Sequence, residues 1–246
     1  MATKIIPTKT RKSIKKQPTS FMRKIFLLLF KIVLWFFGAS LFLVVFFKFV
    51  PVFFTPLMLI RAIENKTAGK EVYFSHDWEP IENISTNLQK AVIASEDGTF
   101  LRHNGFDFGA MQKAFKNNER GRRIKGGSTI SQQTAKNVFL WQGRSYLRKG
   151  LEAYFTVLIE LIWGKERIME VYLNSIEMGD GVYGAQAATQ HWYRKDAKSL
   201  TLIQAAGIAA ILPNPRKFKA TSSSSYINNR KAKIVKVMRS VGKINY

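Results

Sequence analysis

From Ile25 to Val50 the chain carries only two charged residues, Lys31 and Lys48, and the sixteen residues Ile32–Phe47 carry none. With both lysines snorkelling towards headgroups, the stretch reaches the roughly 20 residues that cross a bilayer core. It is apolar on every side, so as a core helix of a soluble domain it would need partners all round. A cleaved signal sequence would have a shorter apolar region followed by a small-x-small site, which is missing here. The expectation is one uncleaved N-terminal transmembrane helix over 25–50. Residues 1–24 hold eight Lys or Arg and no acid. They read as a disordered, basic cytoplasmic tail, which by the positive-inside rule places everything after the span on the far side of the membrane.

The chain beyond the span is long enough for one domain with a core of its own. There is no cysteine, which excludes disulfides, thiolate metal sites and a cysteine nucleophile. Residues 51–246 hold 29 Lys or Arg against 16 acids. That surplus suits a polyanionic partner: nucleic acid, anionic lipid or a phosphorylated substrate. Residues 51–86 read as a membrane-proximal segment and linker. Pro51–Ile63 stays apolar and is expected in the membrane interface, and Val72-Tyr73-Phe74 is a short extended piece.

From 87 to 246 the pattern is mostly α. Leu88, Ala91, Val92 and Ser95 share one helical face, and Phe108 to Phe115 continues in the same period. Thr129-Ile130-Ser131-Gln132 has the form of a capping box, with a helix running to about Trp141. Leu147, Leu151, Phe155, Leu158 and Ile162 make one apolar stripe of the next helix, and Lys165–Leu173 is another. Leu202–Leu212 is apolar throughout and reads as a buried helix stopped by Pro213-Asn214-Pro215. Residues 226–242 form a basic amphipathic helix, with Ile227, Ile234, Met238 and Val241 inward.

Acids are scarce in this chain, so two placements stand out. Glu96 and Asp97 follow the apolar run Ala91–Ala94, with Phe100, His103, Gly105 and Asp107 close behind. Glu152 lies three residues after Lys149 and four after Arg148, so all three share a helix face. The plain reading of that face is a surface ion pair worth little; the functional one is a carboxylate among cations beside a phosphate or a metal. Gly121–Gly127 is a basic, glycine-rich loop before a helix start, a setting that favours an anion. Gly179–Gly184 matches G-x-G-x-x-G but follows a helix with no βαβ unit around it, which argues against a dinucleotide site. His76, His103 and His191 lack zinc-ligand spacing.

Four stretches occur in order: E-D-G-T-F-L-R-H-N-G-F-D from Glu96, G-G-S-T-I-S-Q-Q-T-A-K-N from Gly126, R-K-G-L-E-A from Arg148 and K-E-R-I-M-E-V-Y-L-N from Lys165. Together they resemble the motifs of the family-51 peptidoglycan glycosyltransferases, over about Trp78 to Pro215. The resemblance implies a lysozyme-like, mostly helical glycosyltransferase domain with a small membrane-associated jaw. It also implies polymerisation of lipid II into β-1,4 glycan strands with inversion and release of undecaprenyl pyrophosphate. By the same resemblance Glu96 is the catalytic base and Glu152 the second essential glutamate, near the pyrophosphate and a divalent cation, Mg or Mn. Lys136, Arg144, Arg148 and Lys149 match phosphate-contacting cations. Ser128, Thr129 and Gln132 match polar residues of the second motif, and Asp97 and His103 complete the first. Some members have lysine directly before the second glutamate, where this chain has Leu151. The implied partners are lipid II, the growing lipid-linked strand and the membrane, with cell-wall synthesis or divisome proteins as recruiting candidates and no nucleic acid. The implied location is the bacterial inner membrane, with the catalytic domain in the periplasm.

The chemistry is consistent with that reading. Glycosyl transfer from a lipid pyrophosphate needs a base for the incoming hydroxyl and cationic cover for the leaving diphosphate. Nearby cations are expected to keep Glu96 ionised and ready to accept a proton. The alternative is a glycan-cleaving, lysozyme-like enzyme, which needs a protonated glutamate in an apolar pocket. A nucleic-acid-binding module would need stacking platforms or a groove-reading helix, and neither is evident.

Overall fold

The computed structural model describes residues 20–119, 127–143 and 145–246. Most of the basic tail, the glycine-rich loop up to Gly126, and Arg144 lie outside them. Ten α-helices and one small sheet are present among the described residues. The mostly α expectation holds.

Helix α1 spans Ser20–Phe49, and within it Phe21–Phe49 is the one described helix long and apolar enough to cross a membrane. The part of α1 up to Phe42 forms a unit by itself, and Leu43–Tyr246 forms the second, compact unit. Inside that second unit the end of α1 is held by side chains. Trp163 Nε1 donates to the Val44 carbonyl at 2.7 Å. Arg167 donates to the carbonyls of Phe47, at 2.8 and 3.1 Å, and of Val50, at 2.7 Å. A helix C-terminus leaves such carbonyls without intrahelical donors, and a guanidinium both satisfies them and suits the helix dipole.

Helix α2, Pro56–Thr67, starts where Thr55 caps it and proline occupies its first turn. The apolar segment after the span is thus a helix, and it continues past Ile63 into residues read as linker. Phe53, Phe54, Leu59 and Ile63 are exposed. The extended piece is displaced from 72–74: strand β1 is Ser75–His76, fixed by parallel pairing to β3, Val182–Tyr183. Strand β2, Glu177–Gly179, pairs antiparallel with β3, so the G-x-G-x-x-G run turns a hairpin. The sheet order is β1-β3-β2.

Two helical layers form the body. Helix α3, Thr86–Glu96, packs against α9, Leu202–Ile211, and α10, Ser225–Met238. Helix α5, Ile130–Phe139, packs against α6, Tyr146–Ile162, and α7, Gly164–Ser175. The predicted capping box is in place: Thr129 Oγ1 accepts from Gln132 N while Gln132 Oε1 accepts from Thr129 N. A second box, Thr201 with Gln204, opens α9, which is buried nearly all round as expected. Helix α4, Phe108–Glu119, is capped by Asp107, whose carboxylate accepts from Ala110 N at 2.7 Å. Helix α8, Ala185–Tyr193, was not anticipated; it opens on Gly184 with no side-chain cap.

The stripe expected on α6 is corrected in its first half. Leu147 is 71% exposed, whereas the buried residues of α6 are Arg148, Glu152, Phe155, Thr156 and Ile159. The face carrying the charged pair turns inward. Opposite charges neutralise each other there, and the periodicity of apolar residues cannot register that.

Candidate active site

Helix α3 ends at Glu96, and Asp97 is its C-cap. The Asp97 side chain is buried and organises the loop after it. It accepts from His103 Nε2 at 2.9 and 3.0 Å and from the backbone N–H of Ile130, at the start of α5, at 3.0 Å. A carboxylate at a helix N-terminus is favoured by the dipole as well as by that bond. His103 Nδ1 is buried with no partner among the described residues. Thr129 adds a second tie by donating from its hydroxyl to the Gly105 carbonyl at 2.6 Å. Gly105 has φ of +87°, and a Cβ there would lie 2.7 Å from Thr156 Cγ2. Glycine is therefore required at this contact.

These ties set α5 against α3. Gln133 on α5 donates through Nε2 to Glu96 Oε2 at 3.3 Å, and Tyr172 of α7 donates to Gln133 Oε1 at 3.3 Å. Burial is the largest influence on the Glu96 carboxyl and pushes its pKa up, while the Gln133 bond and the charge of Arg230 on α10 pull it back. The expectation that cations dominate at Glu96 is thus reversed by desolvation, which penalises the ionised form. A raised pKa makes Glu96 a stronger proton acceptor once ionised.

One turn along α5 from Gln133 stands Lys136, on the same helix face. Its pKa is lowered by burial first, then raised by the charge of Glu152 and lowered by Arg148 and Lys149. Glu152 is 3% exposed and bonds both neighbours: Arg148 Nη1 at 2.8 Å, and Lys149 Nζ. Arg148 Nε is buried without a partner among the described residues. A single face of α5 thus connects a carboxylate on α3 to a group of three cations around a carboxylate on α6.

The other expected site residues divide. Ser128 is half-buried just before the cap, while the hydrogen-bonding groups of Thr129 and Gln132 go largely to the capping box and the Gly105 tie. Asp97 and His103 face one another. Arg144 lies outside the described residues. Gln133 and Tyr172 were not singled out from sequence. The doubled glutamine of the second motif was the available signal for Gln133; Tyr172 had none, because it reaches the site only through tertiary contact.

A divalent ion was expected at Glu152. That carboxylate is already neutralised by two cations, and no group of three or more His, Asp or Glu that could hold a metal forms among the described residues. A divalent ion there would share Glu152 with those cations and take its remaining oxygen ligands from water and the substrate's phosphates.

A family model described as transglycosylase matches residues 64–239. The chain belongs to the transglycosylase family. Among its relatives is a biosynthetic peptidoglycan transglycosylase of Caulobacter vibrioides, 55% identical over 198 residues, covering 80% of this chain and 84% of the relative. Another of the same description, from Pseudomonas syringae pv. syringae, is 52% identical over 216 residues, covering 88% and 92%. One from Bacteroides thetaiotaomicron is 50% identical over 212 residues, covering 86% of each chain. The family match covers every element of the transglycosylase site described above, from α3 to Arg230 of α10.

Proposed function

We propose that this chain is a membrane-anchored peptidoglycan glycosyltransferase that polymerises lipid II. The observation that carries the reading is the face of α5, which holds Gln133 against Glu96 and carries Lys136 one turn on, within electrostatic reach of the Arg148–Glu152–Lys149 group. Glu96 takes the proton of the acceptor sugar's 4-hydroxyl. The freed oxygen attacks C1 of the donor from the face opposite the diphosphate, so the new C–O bond forms as the C1–phosphate oxygen bond breaks. Configuration inverts from α to β, and the electron pair leaves on undecaprenyl pyrophosphate. Lys136, Arg148 and Lys149 neutralise that charge as it develops. Leaving-group cover comes from these side chains.

Helix α1 anchors the chain. The basic residues before it put the tail in the cytoplasm and the catalytic unit in the periplasm. An apolar pocket of about 550 Å³ between Phe54, Pro56, Met58, Leu59, Ala62 and Phe74 suits a lipid phase, as the membrane-facing jaw requires.

One observation favours the cleaving alternative: burial raises the pKa of Glu96, as an acid catalyst in a lysozyme-like site requires. The cation group around Glu152 has no role in hydrolysis of an uncharged glycosidic bond, and so polymerisation is the better reading. The test is to incubate the full chain in detergent with labelled lipid II and, separately, with purified sacculi. Polymer from lipid II, lost by a factor of about 10²–10⁴ in Glu96→Gln, is the expected result. Muropeptides released from sacculi with no polymer from lipid II would overturn it.

A further inference from the structure

Tyr172 sits on α7 and is fully buried at 1% exposure. Its hydroxyl donates to Gln133 Oε1 at 3.3 Å, and Gln133 Nε2 donates to Glu96 Oε2 at 3.3 Å. Three helices thus contribute one side chain each to a single hydrogen-bonded chain ending on the carboxylate. Both bonds are longer than the usual range and so individually weak, and the orientation of the middle group depends on having both.

That middle group is a primary amide, which has a donor end and an acceptor end and can turn over. With the wrong end forward, Gln133 would set a carbonyl oxygen against the Glu96 carboxylate. Tyr172 selects the right end, because a neutral phenol offers its proton to Oε1 and leaves Nε2 to Glu96. Burial, and then the charges of Glu96 and Asp97, push the ionisation of Tyr172 well up, so this donor keeps its proton wherever the enzyme works.

We infer that Tyr172 is a positioning residue for Glu96, acting through Gln133 to fix the orientation in which the carboxylate meets the incoming hydroxyl. The inference rests on Glu96 being the proton acceptor proposed above. The other charged groups influencing Glu96 are Asp97 beside it and Arg230 from α10, and neither changes in the test.

The test uses the full chain in detergent as Tyr172→Phe, Gln133→Met, the double variant and Glu96→Gln. Two quantities are followed against pH: the rate of lipid II polymerisation, and the ¹³C NMR titration of the Glu96 carboxyl, assigned by its loss in Glu96→Gln. In Tyr172→Phe the Gln133 amide is no longer held with Nε2 towards Glu96, and losing that hydrogen bond to a charged group should move the Glu96 titration midpoint up by about one pH unit. The acidic limb of the rate profile should move with it, so that turnover below the midpoint falls about tenfold. The double variant should move no further than Gln133→Met alone, because both act through one chain. An unchanged midpoint in Tyr172→Phe, or a double variant equal to the sum of the singles, overturns the inference, even if the melting temperature drops. If the midpoint moves but Glu96→Gln still polymerises lipid II, the positioning stands and the assignment of Glu96 as base fails.

Discussion

Glu152→Gln separates a surface ion pair from a buried one. Exposed pairs contribute at most about 1 kcal/mol, and the Lys149 side, with a side chain 48% exposed, belongs in that class. The Arg148 side does not: its side chain is 11% exposed and that of Glu152 is 4% exposed. Removing one partner of a buried pair costs about 3–5 kcal/mol, because the other charge stays behind unpaired. Here the charge left behind is larger than one, since Glu152 pairs with both Arg148 and Lys149. Glutamine keeps the shape of the side chain, but its single oxygen cannot serve Arg148 and Lys149 together, and its NH₂ faces donors. For a unit of this size each kcal/mol moves the melting temperature by about 2–4 °C, so the variant should melt about 6–20 °C below wild type. Polymerisation should fall at least about a hundredfold. Differential scanning calorimetry with and without inorganic pyrophosphate gives a second reading. The anion should raise the melting temperature of the variant more than that of wild type, because it meets cations that nothing else neutralises. A melting temperature within about 2 °C of wild type would refute the burial argument. So would an equal response to pyrophosphate.

Glu96→Gln should melt higher than wild type near about pH 8 and lose that advantage below about pH 4. The folded carboxyl has a raised pKa, so its contribution to stability is complete below the unfolded pKa and is lost as pH rises through the folded one; an equal difference at both pH values refutes this. Asp97→Asn should cost about 2–3 kcal/mol in urea unfolding, because the oxygen that accepts from both His103 and Ile130 loses its charge and the new NH₂ takes the place of the oxygen that His103 Nε2 also approaches, and a midpoint equal to wild type would contradict the tie between the loop and α5. Gly207→Ala reverses the usual gain from alanine in a helix: its Cβ would collide with Tyr193 Oη and lie 3.1 Å from the Ala220 carbonyl. Overpacking of that kind costs about 1–3 kcal/mol, and a variant as stable as wild type would show that Tyr193 can move aside.

How much of this was legible in the sequence depends on whether the deciding contact is local. The span was readable because sixteen uncharged residues in a row, prolonged past a lysine at each end, need no partner to be recognised. The capping box before α5 was readable because Thr129 and Gln132 satisfy each other three residues apart. The facing of α6 was misread: Leu147 turns outward and Glu152 inward, since paired charges can be buried and a count of apolar residues ignores pairing. Strand β1 was placed early because its partner lies more than a hundred residues on, at Val182 and Tyr183. At the site, Glu96 and Glu152 came forward because acids are few and the ordered motifs resemble a known family. Gln133 and Tyr172, 39 residues apart, meet only once α5 and α7 are packed.

The packing of α3 also bears on when the protein becomes an enzyme. Glu96 is carried by a helix whose large neighbours are α9 and α10, and Ser85, at its start, bonds to the backbone of Ala197 and Leu200. A ribosome completes α3 well before it makes residues 197–238. During that interval Glu96 exists on a helix with one side uncovered and without Arg230 near it. Contacts of such long sequence separation form late and slowly. The nascent chain thus carries its motifs in full while lacking a site, and activity begins only when α10 closes over α3.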